Sequence, residues 1–316
     1  MSGQTVGEMG EFGVIGAIRT RLGTSAAVEV GSGDDAAVLR LGSDRLVVST
    51  DVLVQDRHFR LEWSTPEEIG HKVAAQNFAD LVAMGSQPVA LTATITVPKD
   101  TPVDWLLGVV DGMVAEAAEV GAVVVGGDLS NGPVITISAT AMGVPSLSRV
   151  VTRSGAQPGD VVAVCGRLGW AAAGLAVLGR GFKSPRVVVE AHRRPSPPYS
   201  AGALAAAAGA TAMIDVSDGL IADLEHVADQ SGVGIVIDVD SLPVDDQVRE
   251  TAAAFNADPL VWVLTGGDDH ALAATFPVDA PLPSGFVRIG EVVSGTGVDT
   301  PGFRHTGTGG YDHFRE

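Results

Sequence analysis

The chain has 316 residues, with a formal net charge of −18, 46% hydrophobic and 18% charged residues. That is long enough for two ordinary domains with real cores, and too apolar for a disordered chain. The acidic balance argues against a nucleic-acid partner, which needs basic stripes, but not against a phosphate compound held through a divalent cation. The single cysteine, Cys165, lies in the apolar run DVVAVCG. It excludes an intrachain disulfide and a cysteine zinc cluster, and reads as a core residue.

In chain order, the start MSGQTVGEMGEFGVIGAIRTRLG lacks a basic segment followed by an apolar stretch, so no secretory signal is expected there. No apolar run reaches the ~18 residues of a membrane span, so no membrane partner and a cytoplasmic location are expected. EFGVIGAIRTRL reads as a short helix with Phe12, Ile15 and Ile18 on one face. AAVLRL and RLVVSTDVLV read as strands joined by a turn at Gly42, Ser43 and Asp44. Ser64 or Thr65, then Pro66, Glu67 and Glu68, opens a helix expected to run to about Met84 and stop at Gly85. VALTATITVP is a strand. Thr101, Pro102 and Asp104 open a second long helix that ends at Gly121, followed by the strands AVVVGGD and VITISATAMGVP.

Near Pro145 the pattern resets at the loop SGAQPGD. VVAVCG and LGWAAAGLAVLGRG read as strand then helix, and RRPSPPYS as a connector before the helix AGALAAAAG. TAMIDVSDG, LIADLEHVADQSG, GIVIDVD and WVLTGGDDHALAATF continue an alternation of strand and helix, which implies an α/β domain. The expected organisation is an α+β N-terminal domain over 1–148 and an α/β C-terminal domain over 149–316.

GSGDDAAVL imitates a dinucleotide loop, with Gly31, Gly33 and Ala36 in G-x-G-x-x-A order and Asp51 about 20 residues on, where a ribose-binding acid would fall. The context contradicts it. AAVLRLGSDR leaves no room for a helix before the next strand, and Asp34 and Asp35 would face the pyrophosphate. The Walker loop, the H-R-D loop of protein kinases, the G-x-S-x-G elbow and paired histidines at zinc spacing are all absent.

The acids themselves recur. Asp51 is read as ending LVVSTD, Asp128 as ending AVVVGGD, Asp215 and Asp218 as ending AMIDVSD, and Asp268 and Asp269 as ending WVLTGGDD. Asp80 adds another on the first long helix, on one face with Lys72 and Gln76. Each motif alone also fits ordinary turn chemistry, and Ser217 or Asp218 would cap the helix that follows. Together they put carboxylates beside many apolar strands, where α/β folds bind ligands. Unpaired, such acids repel one another, and oxygen ligands of this kind select Mg²⁺, Mn²⁺ or Ca²⁺ over zinc. The residues therefore point to metal-assisted chemistry on a phosphorylated compound, with ATP.

The chain also resembles the thiamine-monophosphate kinases. GSGDDAAVL, STDVLVQDRHF, KVAAQNFADLVAMGSQPVALT, GGDLSNGP, TRSGAQPGD, DVSDGLIADLEH, GGDDHAL and the terminal GYDHF stand in that family's order. The wider superfamily includes aminoimidazole ribonucleotide synthetase, selenophosphate synthetase and a hydrogenase-maturation dehydratase. The resemblance implies an N-terminal α+β domain whose mixed sheet pairs with a second subunit's into a barrel, hence a homodimer, and a C-terminal α/β domain. It implies phosphorylation of thiamine monophosphate to thiamine diphosphate by ATP, with several Mg²⁺ ions. It carries magnesium positions onto Asp34, Ser49, Thr50, Asp51, Asp80, Asp128, Asp215 and Asp218. Nucleotide contacts fall on Gly127, Asp128, Arg153 and Ser217, and substrate contacts on His58, Asp268 and Tyr311.

Two positions depart from the family pattern. Ala79 replaces a serine in Asn-x-Ser-Asp, and Asp268 replaces a glutamate in Gly-Gly-Glu-Asp, one methylene shorter. The alternatives are another ATP-using enzyme of the superfamily, like selenophosphate synthetase or the hydrogenase-maturation enzyme, or a non-enzymatic acidic metal-binding protein. The first two are expected to carry a reactive Cys near the N-terminus or at the C-terminus respectively, whereas Cys165 lies in neither place.

Overall fold

A computed structural model describes residues 3–33, 36–304 and 309–311. Asp34, Asp35 and the DHF of the terminal motif lie outside the described residues. The chain divides into two compact units, one running to Leu81 and resuming over Gln87–Pro145, the other made of Val82–Ser86 and the chain from Ser146 onward.

The first unit opens with α1 (Val6–Met9) and α2 (Glu11–Arg19), then the short antiparallel pair β1 (Val28–Val30) and β2 (Val38–Leu39). Only two residues of AAVLRL are strand, and no helix follows Ala36 before β3 (Val47–Val54), so the dinucleotide-loop geometry is absent. α3 (Pro66–Ala83) starts at a reciprocal cap: Glu68 N–H donates to Thr65 Oγ1 at 3.3 Å, and Thr65 N–H donates to Glu68 Oε2 at 2.8 Å. After α3 come β4 (Ser86–Val97), α4 (Val103–Glu119), β5 (Val123–Asn131) and β6 (Thr136–Pro145). The sheet order is β3-β6-β4-β5; β3 runs antiparallel to β6 and β4 parallel to β5, so the sheet is mixed.

α3 and α4 cross at very close range because glycines meet there. A Cβ on Gly112 would stand 2.1 Å from the Glu67 carbonyl oxygen, and one on Gly70 would stand 1.9 Å from that of Val109. The buried pair His71 Nδ1–Glu116 Oε2, 2.5 Å apart, spans the same crossing.

The second unit contains β7 (Val161–Cys165), α5 (Trp170–Gly179), α6 (Arg186–Arg193), α7 (Tyr199–Ala207), β8 (Ala212–Val216) and α8 (Leu220–Ser231). It continues with β9 (Gly234–Ile237), α9 (Asp246–Ala254), α10 (Pro259–Thr265), β10 (Ala271–Phe276), β11 (Val287–Val293) and β12 (Gly297–Asp299). Strands alternate with helices, and the sheet, in the order β12-β9-β11-β7-β10-β8, is antiparallel except for β12 against β9. Its strands β7, β8 and β10 are buried at every position. Cys165 belongs to that core, where burial pushes its thiol up.

Two expectations need correction. WVLT is not a strand but the body of α10, because Asp258 caps it by accepting from Leu260 N–H at 2.9 Å and Pro259 fills the first turn. Asp51 and Asp128 do not end strands; they lie inside β3 and β5, which run on past them. The segment RVVVEAHR, left unassigned above, forms α6: its buried Val188, Val189 and His192 lie on one helical face although its β-branched residues favour strand.

Candidate functional site

In the first unit the side chains gather where α3 reaches β3. Alternation along β3 sends Ser49, Asp51 and Leu53 to one face and Val48, Thr50 and Val52 to the other. Ser49 Oγ donates to Asp80 Oδ2 at 2.5 Å. The Asp51 N–H donates to Asn77 Oδ1 at 3.1 Å, while Asn77 Nδ2 donates to the Val73 carbonyl at 2.8 Å. Asn77 is fully buried, so it ties strand to helix at the residue that carries the Asp51 carboxylate. Ser49, Asp51 and Asp80 are thus brought together. Thr50 is not: it lies on the other face, donates to the Ala139 carbonyl at 2.8 Å and accepts from Thr140 Oγ1 at 3.0 Å.

The turn after β3 holds His58, whose Nδ1 accepts the Val54 N–H at 2.9 Å. That bond leaves the proton on Nε2. Lys72 Nζ donates to the His58 carbonyl at 3.3 Å, so α3 braces this turn. On the far side of the sheet, Gly127 and Asp128 are in register with Ala93 and Thr94 of β4. Gly127 is required: a Cβ there would stand 1.8 Å from the Ala93 carbonyl oxygen. Both residues border a pocket of about 540 Å³, open mouth included, lined also by Ile15, Ile18, Arg19 and Met113.

In the second unit the site is built on the β8–α8 turn. Asp215 is the penultimate residue of β8, Ser217 and Asp218 follow it, and Gly219 is the N-cap residue of α8, without a side-chain bond of its own. The expected cap by Ser217 or Asp218 is not formed. Asp223, one turn into α8, reaches back instead: its Oδ2 accepts the N–H of Asp218 at 3.1 Å and of Gly219 at 3.0 Å. Burial first, then the neighbouring Asp215 and Asp218 charges, push the Asp223 carboxyl up to about 7. This acid was not singled out in the sequence; its signal was the spacing of DGLIAD, which returns a carboxylate to the start of its own helix.

The loop 266–270 lies against this turn. Asp268 N–H donates to the Ser217 carbonyl at 2.8 Å and His270 N–H to that of Val216 at 2.9 Å. His270 Nδ1 lies 3.1 Å from Asp215 Oδ2, both groups buried, and an ionised carboxylate accepts the ring proton there. Asp268 and His270 have left-handed φ values of 66° and 52°, which cost about 1 kcal/mol each for residues with a Cβ. Between them Asp269 turns inward, and its carboxylate accepts Gly169 N–H at 2.5 Å and Ala171 N–H at 2.8 Å. Burial outweighs those two bonds and raises this carboxyl to about 7. Tyr311 N–H donates to the Asp218 carbonyl at 2.9 Å, and the residue is 51% exposed. Arg153 is exposed and stands next to Thr152, whose carbonyl accepts the Met213 N–H of β8 at 3.0 Å.

The donor set fits a hard divalent cation in chemistry. The sequence-assigned positions carry carboxylate and hydroxyl oxygens, and the mutual repulsion of Asp215, Asp218 and Asp223 is what a cation would relieve. Among the described residues no three carboxylate, histidine or cysteine side chains stand already gathered around one point. No helix among the described residues is long and apolar enough to cross a membrane.

Comparison with known proteins gives the same reading from the whole chain. Residues 33–145 match the AIR synthase related protein N-terminal domain, and residues 157–300 the corresponding C-terminal domain. A thiamine-monophosphate kinase of Mycobacterium tuberculosis is 46% identical over 314 residues, 99% of this chain and 94% of that protein. One from Corynebacterium glutamicum is 45% identical, covering 92% of this chain and 88% of its own. Among solved structures, the thiamine-monophosphate kinase of Stenotrophomonas maltophilia has a TM-score of 0.78 at 34% identity, covering 91% of this chain and 94% of that one. AaThiL complexed with AMPPCP and TMP has a TM-score of 0.80 at 28% identity, covering 99% of this chain and 100% of that one. The chain belongs to the thiamine-monophosphate kinase family of two-domain AIR synthase related proteins.

Proposed function

We propose that this chain transfers the γ-phosphoryl group of ATP to a phosphate oxygen of thiamine monophosphate, in line, releasing ADP and thiamine diphosphate. The observation that carries the reading is the likeness over 99% of the chain to AaThiL, which was solved with both AMPPCP and TMP. The acceptor is a phosphate, already largely ionised at neutral pH, so a strong general base is not needed. What the protein must supply is alignment of two anions that repel each other.

Mg²⁺, held by Asp34, Ser49, Thr50, Asp51, Asp80, Asp128, Asp215 and Asp218, would neutralise the phosphates. Thr50 is the weakest of these ligands, because its hydroxyl faces away from Ser49 and Asp51 and is already bonded to Ala139 and Thr140. Gly127 and Ser217 offer close backbone approach and Arg153 an exposed guanidinium for the nucleotide phosphates. The half-exposed Tyr311 would stack its ring on a substrate ring. His58, whose Nδ1 accepts the Val54 N–H, would meet the substrate through Nε2. Asp268, short by a methylene, would reach the substrate through water. In this reading residues 1–148 bind metal and nucleotide and form the dimer, and residues 149–316 complete the α/β half. A homodimer is supported by the exposed Val48 and Val52 on the outer face of the edge strand β3.

The test is to mix the protein, Mg·ATP and thiamine monophosphate and follow ADP and thiamine diphosphate together. Equal amounts of both are expected. ADP without thiamine diphosphate would refute the kinase reading while keeping ATP use. No nucleotide turnover would leave the acidic metal-binding reading.

A further inference from the structure

Both carboxylate oxygens of Asp269, in the loop 266–270, are committed inside the protein. It is only 5% exposed, and it accepts Gly169 and Ala171 N–H, groups at the start of α5 that the helix itself leaves unsatisfied. On either side stand the two left-handed residues, Asp268 and His270. Two such residues flanking one anchored carboxylate describe a loop whose unfavourable path that carboxylate helps to fasten. What that path delivers is specific. It brings Asp268 N–H onto the Ser217 carbonyl and the His270 ring onto the Asp215 carboxylate. The ring bond engages one Asp215 oxygen and fixes where the other points.

We propose that Asp269 is a positioning residue: it fastens the loop 266–270 to the start of α5, and through His270 it sets the orientation of Asp215. It touches neither substrate nor ion. Its activity arm rests on the kinase reading, and its metal arm does not.

The experiment compares wild type with Asp269→Ala, Asp269→Asn, His270→Gln and the double variant Asp269→Ala/His270→Gln. Mn²⁺ binding is followed by the EPR signal of the free ion, and kcat and KM are measured over a magnesium titration. Asp269→Ala is expected to weaken Mn²⁺ binding and to raise the half-saturating magnesium by about tenfold, as loss of an orienting partner does. Asp269→Asn keeps the volume and one acceptor oxygen, so it should fold and recover part of the loss. The double variant should be no worse than the worse single one, because both act along one line. The proposal is overturned if folded Asp269→Asn and Asp269→Ala bind Mn²⁺ as wild type does, or if the double variant's losses multiply. A wild type that binds Mn²⁺ but makes no thiamine diphosphate would refute the kinase reading instead, and the Mn²⁺ comparison would still decide the role of Asp269.

Discussion

At the scale of single residues, Asp51 and Gly127 separate chemistry from framework. The backbone of Asp51 is bonded to Asn77, and that bond does not need the carboxylate. Asp51→Asn should therefore melt within a few degrees of wild type yet lose more than about tenfold in turnover, if the carboxylate serves the ion. Normal turnover in that variant would remove Asp51 from the ligand set. Gly127→Ala should behave differently. The added methyl would meet the Ala93 carbonyl within the sheet, and overpacking of this kind costs about 1–3 kcal/mol or more. A fall of several degrees in the thermal midpoint checks it. Asp51 and Asp80 were legible in the sequence because acids beside apolar runs and on a helix face stand out, whereas Ser49 came only from the family resemblance. The separation of Thr50 from them was legible only in part: period two puts neighbours on opposite faces, but it does not say which face carries the chemistry. Asp223 and Asp269 were illegible as framework, since a carboxylate that satisfies buried backbone looks the same in sequence as one that meets solvent.

At the scale of elements, the two long helices α3 and α4 announced themselves and the short apolar runs did not. Thr65 with Glu68 marked the start of α3 correctly because a reciprocal cap needs just those residue types at that spacing. WVLT could be read either way, since so short a run has no period. Its helical state came from Asp258 and Pro259 upstream, which the reading of the acids passed over. The α3–α4 crossing makes a prediction of its own. Gly112→Ala would push the Glu67 carbonyl away and open the crossing that holds Asn77 and Asp80 on α3. It should lower the thermal midpoint and activity together, unlike Asp51→Asn. A variant that melts normally would show that the helices can slide apart without strain.

At the scale of the whole molecule, the buried acids give the fold a dependence on pH. The Asp223 and Asp269 carboxyls sit near 7 in the folded chain, against 3.8 when exposed, chiefly because burial disfavours their charge. Below about 4 both states hold the proton and stability is undiminished. As pH rises towards 7 the unfolded chain releases its protons freely while the folded one must ionise a buried group, so stability is lost. In EDTA, the midpoint of the wild type should therefore fall between about pH 4 and 7, and fall less for Asp269→Asn. Equal slopes would mean that Asp269 is ionised in the fold throughout. Association can be tested in the same preparation. If the outer face of β3 is covered by a second copy, Val48→Asp with Val52→Asp should shift the mass measured by light scattering to that of a monomer.

The five residues Val82–Ser86 belong to the second unit although the chain around them belongs to the first. Val82 and Ala83 lie in the same apolar core as Cys165, Met213 and Phe276, and the Met84 and Gly85 carbonyls accept the N–H groups of Val151 at 3.2 Å and Ser146 at 3.1 Å. Neither unit is therefore a continuous stretch of polypeptide. A gene fragment that begins after Pro145 would encode a core with a hole where that elbow belongs, so the second unit expressed alone is expected to be less stable than in the whole chain. The emerging chain has the opposite advantage: the missing piece of its second core is synthesised well before the rest and waits for it.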